Sequence, residues 1–213
     1  MKSYRAIRHD IIRKKQNDNS KEVHHPDQKT KQIYNFLDSS KKYKILELFC
    51  GRENLTKHYS KFGKVELYDK KWKKTGDSYL EFHRLIYERK KYDVIDLDPY
   101  GFPNRFFPDI YKLIDNGYLF LTMPKPYVNI LNGITQTHLI SYFDKHNPSL
   151  EEILKRYVLW GLCHWRKVEV LDVIDLKSIW RICFKVEKVK ATDYTGVINQ
   201  KINFKKDNQL NLF

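Results

Sequence analysis

The residues best placed to do chemistry are Asp98, Pro99 and Tyr100, which close the run Tyr92-Asp93-Val94-Ile95-Asp96-Leu97-Asp98-Pro99-Tyr100-Gly101. Val94, Ile95 and Leu97 make residues 92–97 read as a strand. The acid, the proline and the ring therefore stand at its carboxyl end, the edge at which open α/β sheets take ligands. An exocyclic amine on a nucleic-acid base is a poor nucleophile, because its lone pair is delocalised into the ring. Asp98 and a nearby backbone carbonyl can accept hydrogen bonds from such an NH2 group and localise that pair. Pro99 restricts the backbone so that the carbonyl stays aimed. Tyr100 offers a ring for an extruded base to stack on. A second constellation is Glu47-Leu48-Phe49-Cys50-Gly51-Arg52-Glu53-Asn54-Leu55-Thr56, where a strand turns at glycine into a helix. Gly51 lets backbone approach a ligand without a Cβ in the way, and a helix N-terminus favours a negatively charged group. Asp69 follows about 20 residues after this turn, where an acid can hold ribose hydroxyls. Asp77, in Gly76-Asp77-Ser78, opens the next helical stretch.

Positioning these residues requires alternating strands and helices. Strands are expected at 43–49, 65–68, 92–97 and 118–123, with helices at 29–39, 55–62, 78–89 and 105–114 between them. The segment 124–148 breaks the rhythm with Pro124, Pro126, Gly133 and Pro148. Residues 150–164 form a helix with Ser149 as N-cap and Glu151 and Glu152 in its first turn. Residues 168–174 and 179–189 are apolar runs that read as an edge hairpin. The expected fold class is α/β and Rossmann-like: a mostly parallel seven-stranded sheet with an antiparallel edge hairpin and helices on both faces. Residues 1–28 read as a basic, partly flexible extension, 29–189 as the folded domain and 190–213 as a polar tail.

Glu47, Phe49 and Gly51 resemble motif I of the class I S-adenosylmethionine-dependent methyltransferases, an acid-x-F-x-G-x-G pattern whose last glycine is Glu53 here. The Asp98 corner resembles motif IV of the amino-methyltransferases of DNA. With one proline, and with Asp115-x-Gly117 and Leu121-Thr122 beyond, its wording is closer to the tRNA N2,N2-dimethylguanosine methyltransferases. The likeness to the wider fold covers roughly 43–189. The tRNA enzymes carry a further C-terminal domain, for which there is no room here. The resemblance implies S-adenosyl-L-methionine as cofactor, held by Glu47, Phe49, Gly51, Asp69 and Asp77, with Asp77 near the adenine ring. It implies Asp98, Pro99 and Tyr100 as the catalytic pocket. Phe102 or the 124–148 segment is placed to cover it.

The net charge of +14 favours a phosphate backbone as partner. Lys70, Lys71, Lys73, Lys74 and Arg105 are the candidate nucleic-acid contacts. The last residues, Gln209-Leu210-Asn211-Leu212-Phe213, resemble the bacterial sliding-clamp-binding peptide, with Gln209, Leu210, Leu212 and Phe213 as contacts. The tail leans toward DNA and the corner toward guanine N2 in RNA; DNA, with adenine N6 as the target, is preferred. The alternative from another class is a non-catalytic DNA- and clamp-binding protein of the same fold, a reading fed by Glu53. Three cysteines at irregular spacing fit neither a disulfide framework nor a zinc site. His24 and His25 lack a third ligand, so no metal is expected. Neither an apolar run of transmembrane length nor a secretory signal is visible, so the expected location is the cytoplasm.

Overall fold

A computed structural model describes residues 25–70, 76–99, 101–126 and 136–190. The sequence expectations for Lys71, Lys73, Lys74, Tyr100 and the tail residues Gln209, Leu210, Leu212 and Phe213 lie outside the described residues.

The chain runs α1 (Pro26–Phe36), β1 (Tyr43–Leu48), α2 (Thr56–Tyr59), β2 (Gly63–Tyr68), α3 (Ser78–Tyr87), β3 (Tyr92–Leu97), two short 3-10 turns (Pro103–Phe106 and Asp109–Leu113), β4 (Ile114–Pro124), α4 (Gln136–Phe143), α5 (Leu150–Leu162), β5 (Arg166–Leu176) and β6 (Ile179–Lys188). The sheet order is β2-β1-β3-β4-β6-β5. The pairs β1–β2, β1–β3 and β3–β4 are parallel, while β6 runs antiparallel to both β4 and β5. This is the expected Rossmann-like α/β architecture with an antiparallel edge hairpin.

Two expectations are corrected. Among the described residues the sheet has six strands, not seven. Between β2 and β3, α3 takes up Ser78–Tyr87, and the chain that remains is too short for another strand with a crossover on each side. Residues 105–114 do not form one α-helix but parts of two 3-10 turns. Pro108 falls inside that stretch; it lacks an N–H, and its ring clashes with the preceding helical turn.

Both faces of the sheet are buried. On one face Ile45, Val94, Phe120 and Cys183 meet Ile33 and Leu37, at and just beyond α1, and Leu55, Tyr59 and Phe62, in and around α2. On the other, Leu46, Leu48, Ile95, Leu97, Leu119 and Leu121 meet Phe82 and Leu85 of α3, Phe106 and Ile110 of the 3-10 turns, and Ile153, Leu154 and Tyr157 of α5. Burial on both faces explains why β1 and β3 carry apolar residues at successive positions, Ile45-Leu46 and Val94-Ile95, and not only at alternate ones. Helix α5 starts as expected at Ser149, whose hydroxyl accepts the Glu152 N–H while the Glu152 carboxylate accepts the Ser149 N–H, a capping box. No helix among the described residues is long and apolar enough to cross a membrane.

Candidate functional site

Parallel strands β1, β2 and β3 deliver their carboxyl ends to one crest. There the turn after β1 folds sharply, because Phe49, Gly51 and Glu53 all have positive φ, at 67°, 56° and 61°. Glu53 thus holds, with a side chain, the left-handed conformation that glycine takes at little cost. The turn is anchored to β2: the Phe49 N–H donates to the Tyr68 carbonyl at 2.8 Å. The Gly51 N–H donates to the Asp69 carboxylate at 2.9 Å. Ser78, the first residue of α3, donates its hydroxyl to the Tyr68 carbonyl at 2.7 Å, which draws α3 onto the same crest.

The other half of the crest is the Asp98 corner. Its backbone N–H donates to the Leu48 carbonyl at 3.3 Å, so the corner abuts the residue that opens the glycine turn. The Asp98 carboxylate is met by Lys29 of α1, Nζ to Oδ2 at 2.6 Å, and the Lys29 side chain is only 4% exposed. Burial pushes the Asp98 carboxyl up. The charges of Lys29 and Arg181, with hydrogen bonds from Lys29 and Thr122, outweigh that and hold it below its ordinary value. At neutral pH Asp98 is therefore ionised, and it serves as a hydrogen-bond acceptor rather than a proton store.

Beneath this crest lies a buried polar network. Arg181 of β6 and Asp96 of β3 are both fully buried. The guanidinium donates from both terminal nitrogens to the two Asp96 oxygens, a bidentate pair, and also to Thr122 Oγ1 at 2.9 Å. The Tyr59 hydroxyl donates to Asp96 Oδ2. Glu47 is the register partner of Asp96 on the neighbouring strand. It is buried and accepts the Thr56 hydroxyl at 2.6 Å, tying β1 to α2. Burial, then the Asp96 charge beside it, push the Glu47 carboxyl up to about 8.

That raised value sets a pH dependence. Between about pH 4.5 and 8 the folded protein keeps a proton on Glu47 that the unfolded chain has lost, so this residue's contribution to stability falls as pH rises through that window and levels off above it. We expect Glu47→Gln to flatten the stability profile there by up to about 1.4 kcal/mol per pH unit. It should also raise the denaturant midpoint at pH 8 relative to wild type. Parallel profiles for the two proteins from pH 5 to about 8 would mean that Glu47 is ionised in the fold. In the turn, Glu53→Gly relieves a left-handed side chain but loosens the unfolded chain. The net expectation is a gain of about 0.5–1 kcal/mol, read as a melting rise of roughly 2 °C. A lower melting point would mean that contacts of the Glu53 side chain outweigh the strain.

The remaining expected site residues fall as follows. The Phe49 ring packs edge-on to Phe106 at 5.6 Å, within an aromatic group that includes Tyr79 and Phe82. Exposed Arg105 lies over the Tyr79 ring at 3.7 Å, so it sits beside that group. Asp77 is the N-cap of α3, accepting the Tyr79 N–H at 2.9 Å, and pairs with Lys70 at 3.0 Å. Those two contacts, Lys70 first, hold its carboxyl below its ordinary value. The crest therefore unites Phe49, Gly51, Asp69 and Asp98, with Asp77, Lys70 and Arg105 on its α3 side, while Glu47 lies buried beneath it.

No family model matches the chain, and neither does any curated protein. Among solved structures it is similar in outline to Trm1 from Pyrococcus horikoshii in complex with S-adenosyl-L-methionine, with 17% identity over 57% of this chain and 34% of that one, TM-score 0.45. The chain thus spans about a third of that protein's length. It is also similar to a methyltransferase from Pyrococcus furiosus, with 13% identity over 77% of this chain and 83% of that one, TM-score 0.45. A third is the release-factor-specific protein-(glutamine-N5) methyltransferase from Alicyclobacillus acidocaldarius, with 11% identity over 77% of this chain and 93% of that one, TM-score 0.46. These are loose likenesses of outline.

Sequence reasoning missed Lys29, Tyr59 and Arg181, and had Thr122 only within the Leu121-Thr122 likeness, with no role assigned. A usable signal existed for one of them: Arg181 interrupts the apolar run Ile179-Trp180-Arg181-Ile182-Cys183-Phe184, where a charge demands a partner. Lys29 stands in a polar stretch, and its burial comes from the packing of α1.

Proposed function

We propose that this chain is an S-adenosylmethionine-dependent methyltransferase acting on an exocyclic amine of a nucleic-acid base. The observation that carries the reading is the contact between the Asp98 corner and the end of β1. It sets an ionised acceptor next to a left-handed glycine turn that is itself bonded to Asp69. A left-handed turn with no Cβ at Gly51 and a carboxylate at the ends of neighbouring parallel strands fit a nucleoside cofactor. When bound, the cofactor supplies a methyl group already activated by a sulfonium. The chain's own task is alignment and hydrogen bonding. Asp98 accepts from the amine, Pro99 fixes the corner, and Tyr100 stacks on the base. Glu47 and Thr56 brace the turn, and Phe49, Gly51, Asp69 and Asp77 line the cofactor side. Lys70, Lys71, Lys73, Lys74 and Arg105 meet phosphates.

DNA is the preferred target, because the terminal Gln209, Leu210, Leu212 and Phe213 have the form of a peptide that docks on the replication sliding clamp. The wording Asp96-Leu97-Asp98-Pro99-Tyr100-Gly101 supports guanine N2 in tRNA as a second reading. A non-catalytic binder is disfavoured by Glu53: its φ of 61° keeps the turn geometry that glycine would supply. The deciding experiment is transfer of tritiated methyl from labelled cofactor to DNA and to tRNA pools, with calorimetry of cofactor binding alongside. Label in DNA supports the preferred target and label in tRNA the second. No binding heat and no label in either pool would leave a binding protein. Clamp pull-down with and without residues 209–213 tests the tail, and equal recovery of both forms removes that partner.

A further inference from the structure

At the opposite rim, where β1, β2 and β3 begin, the surface forms a groove of about 680 Å³ lined by Lys42, Lys44, Lys64 and Lys90 together with Glu66 and Asp93. All four lysines are exposed. The two carboxylates accept hydrogen bonds from neutral donors. Glu66 takes the Tyr68 hydroxyl at 2.5 Å and the Tyr92 hydroxyl at 2.7 Å, and Asp93 takes the Lys44 backbone N–H at 2.7 Å. Among the described residues Lys42, Lys44 and Lys64 make no ion pair, Lys44 lies over the Tyr92 ring at 4.7 Å, and Lys90 reaches Glu88 only at 3.8 Å. Lys44 and Lys64 are register partners on adjacent parallel strands, hence on the same face. Like charges set side by side in a sheet are destabilising, and Glu66, two residues beyond Lys64, offsets only part of this through the charges of Lys44 and Lys90. An anion in the groove reverses the effect.

We propose that this groove binds the phosphodiester backbone of a nucleic acid. Three strand starts at about 4.8 Å spacing span about 10 Å. That matches two to three successive phosphates of one strand, at about 3.4 Å of helix axis per charge. The groove is concave, and its one aromatic lining residue, Tyr43, is half-buried rather than an exposed anchor, which favours a chain that can enter it over a flat lipid surface. Strands of six residues put it about 20 Å from Asp98. It shares only the class of partner with the proposed methyl transfer, and its test reads binding, not catalysis.

The test is fluorescence anisotropy of a short labelled DNA duplex with the full-length protein, titrated between about 50 and 200 mM salt. The groove variant carries Lys42→Gln, Lys44→Gln, Lys64→Gln and Lys90→Gln. The control variant removes the same charge at lysines paired elsewhere: Lys112→Gln, Lys145→Gln, Lys155→Gln and Lys188→Gln. The groove variant should bind at least about tenfold more weakly, and its salt slope should fall by about two to three units, since each of the two to three phosphate contacts contributes about 0.9. The control should keep the wild-type slope. Lys64→Gln alone should lower the slope by about one unit, which keeps the test open if the fourfold variant does not fold. Equal loss in groove and control variants would show attraction to net charge and overturn the proposal. So would wild-type binding by the groove variant, or a preference of the wild type for phosphatidylserine vesicles over the duplex.

Discussion

Arg181→Met should destabilise the fold by about 3–5 kcal/mol, a drop in melting temperature of roughly 6–20 °C. The reason is the asymmetry of a buried ion pair. With both partners present, the Coulombic and hydrogen-bond gain offsets most of the desolvation of two charges. With one removed, the other is left charged in a site that water does not reach. Asp96 is completely buried and lies against Glu47 on the neighbouring strand, so losing the guanidinium leaves its carboxylate, among the described residues, with the Tyr59 hydroxyl and the protonated Glu47 in place of a countercharge. Asp96→Asn in the Arg181→Met background should recover a large part of the loss, and a double-mutant cycle should give a coupling of about 0.5–3 kcal/mol. Chemical denaturation measures both. A single variant within 1 kcal/mol of wild type would mean that the pair does not hold β3 to the hairpin.

The second large effect concerns activity. If the proposed chemistry is correct, Asp98→Ala should lower kcat for methyl transfer by about 10²–10³-fold, because it removes a preorganised partner of the reacting amine. Cofactor affinity should stay within a few-fold, since the proposed cofactor side rests on Gly51 and Asp69 and not on Asp98. A complication is built into the site: Asp98 also balances the buried Lys29 ammonium at 2.6 Å. The informative comparison therefore adds Asp98→Asn with Lys29→Met, a neutral pair without the orphaned cation. This double variant should fold as well as wild type, by melting, and remain impaired in kcat. If it regains wild-type turnover, Asp98 serves only the charge balance of α1 against the corner, and a different group must receive the amine.

The legible parts of the molecule were those encoded locally. The strand over 92–97 was read within its observed bounds, because an apolar run ending in Asp-Pro has few other uses. The N-cap at Ser149 was equally plain, since a hydroxyl followed three residues later by a glutamate is a local signal for a helix start. The glycine turn, its acid at Asp69 and the edge hairpin followed from the same kind of spacing. Where local patterning misled, a competing residue was at work. Pro108 divided the stretch read as one helix into 3-10 turns, and the count of strands was set by how much chain lies between β2 and β3.

What the sequence by itself determined is the alternation of elements and the order in which acids and glycines reach the crest, because helix and strand periodicity, caps and turns depend on near neighbours. What only the tertiary structure decided is which charges meet. Lys29 and Asp98 are 69 residues apart, and Asp96 and Arg181 are 85 apart. The Lys44–Lys64 juxtaposition likewise exists only once β1 and β2 are in register. A buried charge finds its partner through topology and the exclusion of water, and neither quantity is written in the spacing of residues along the chain.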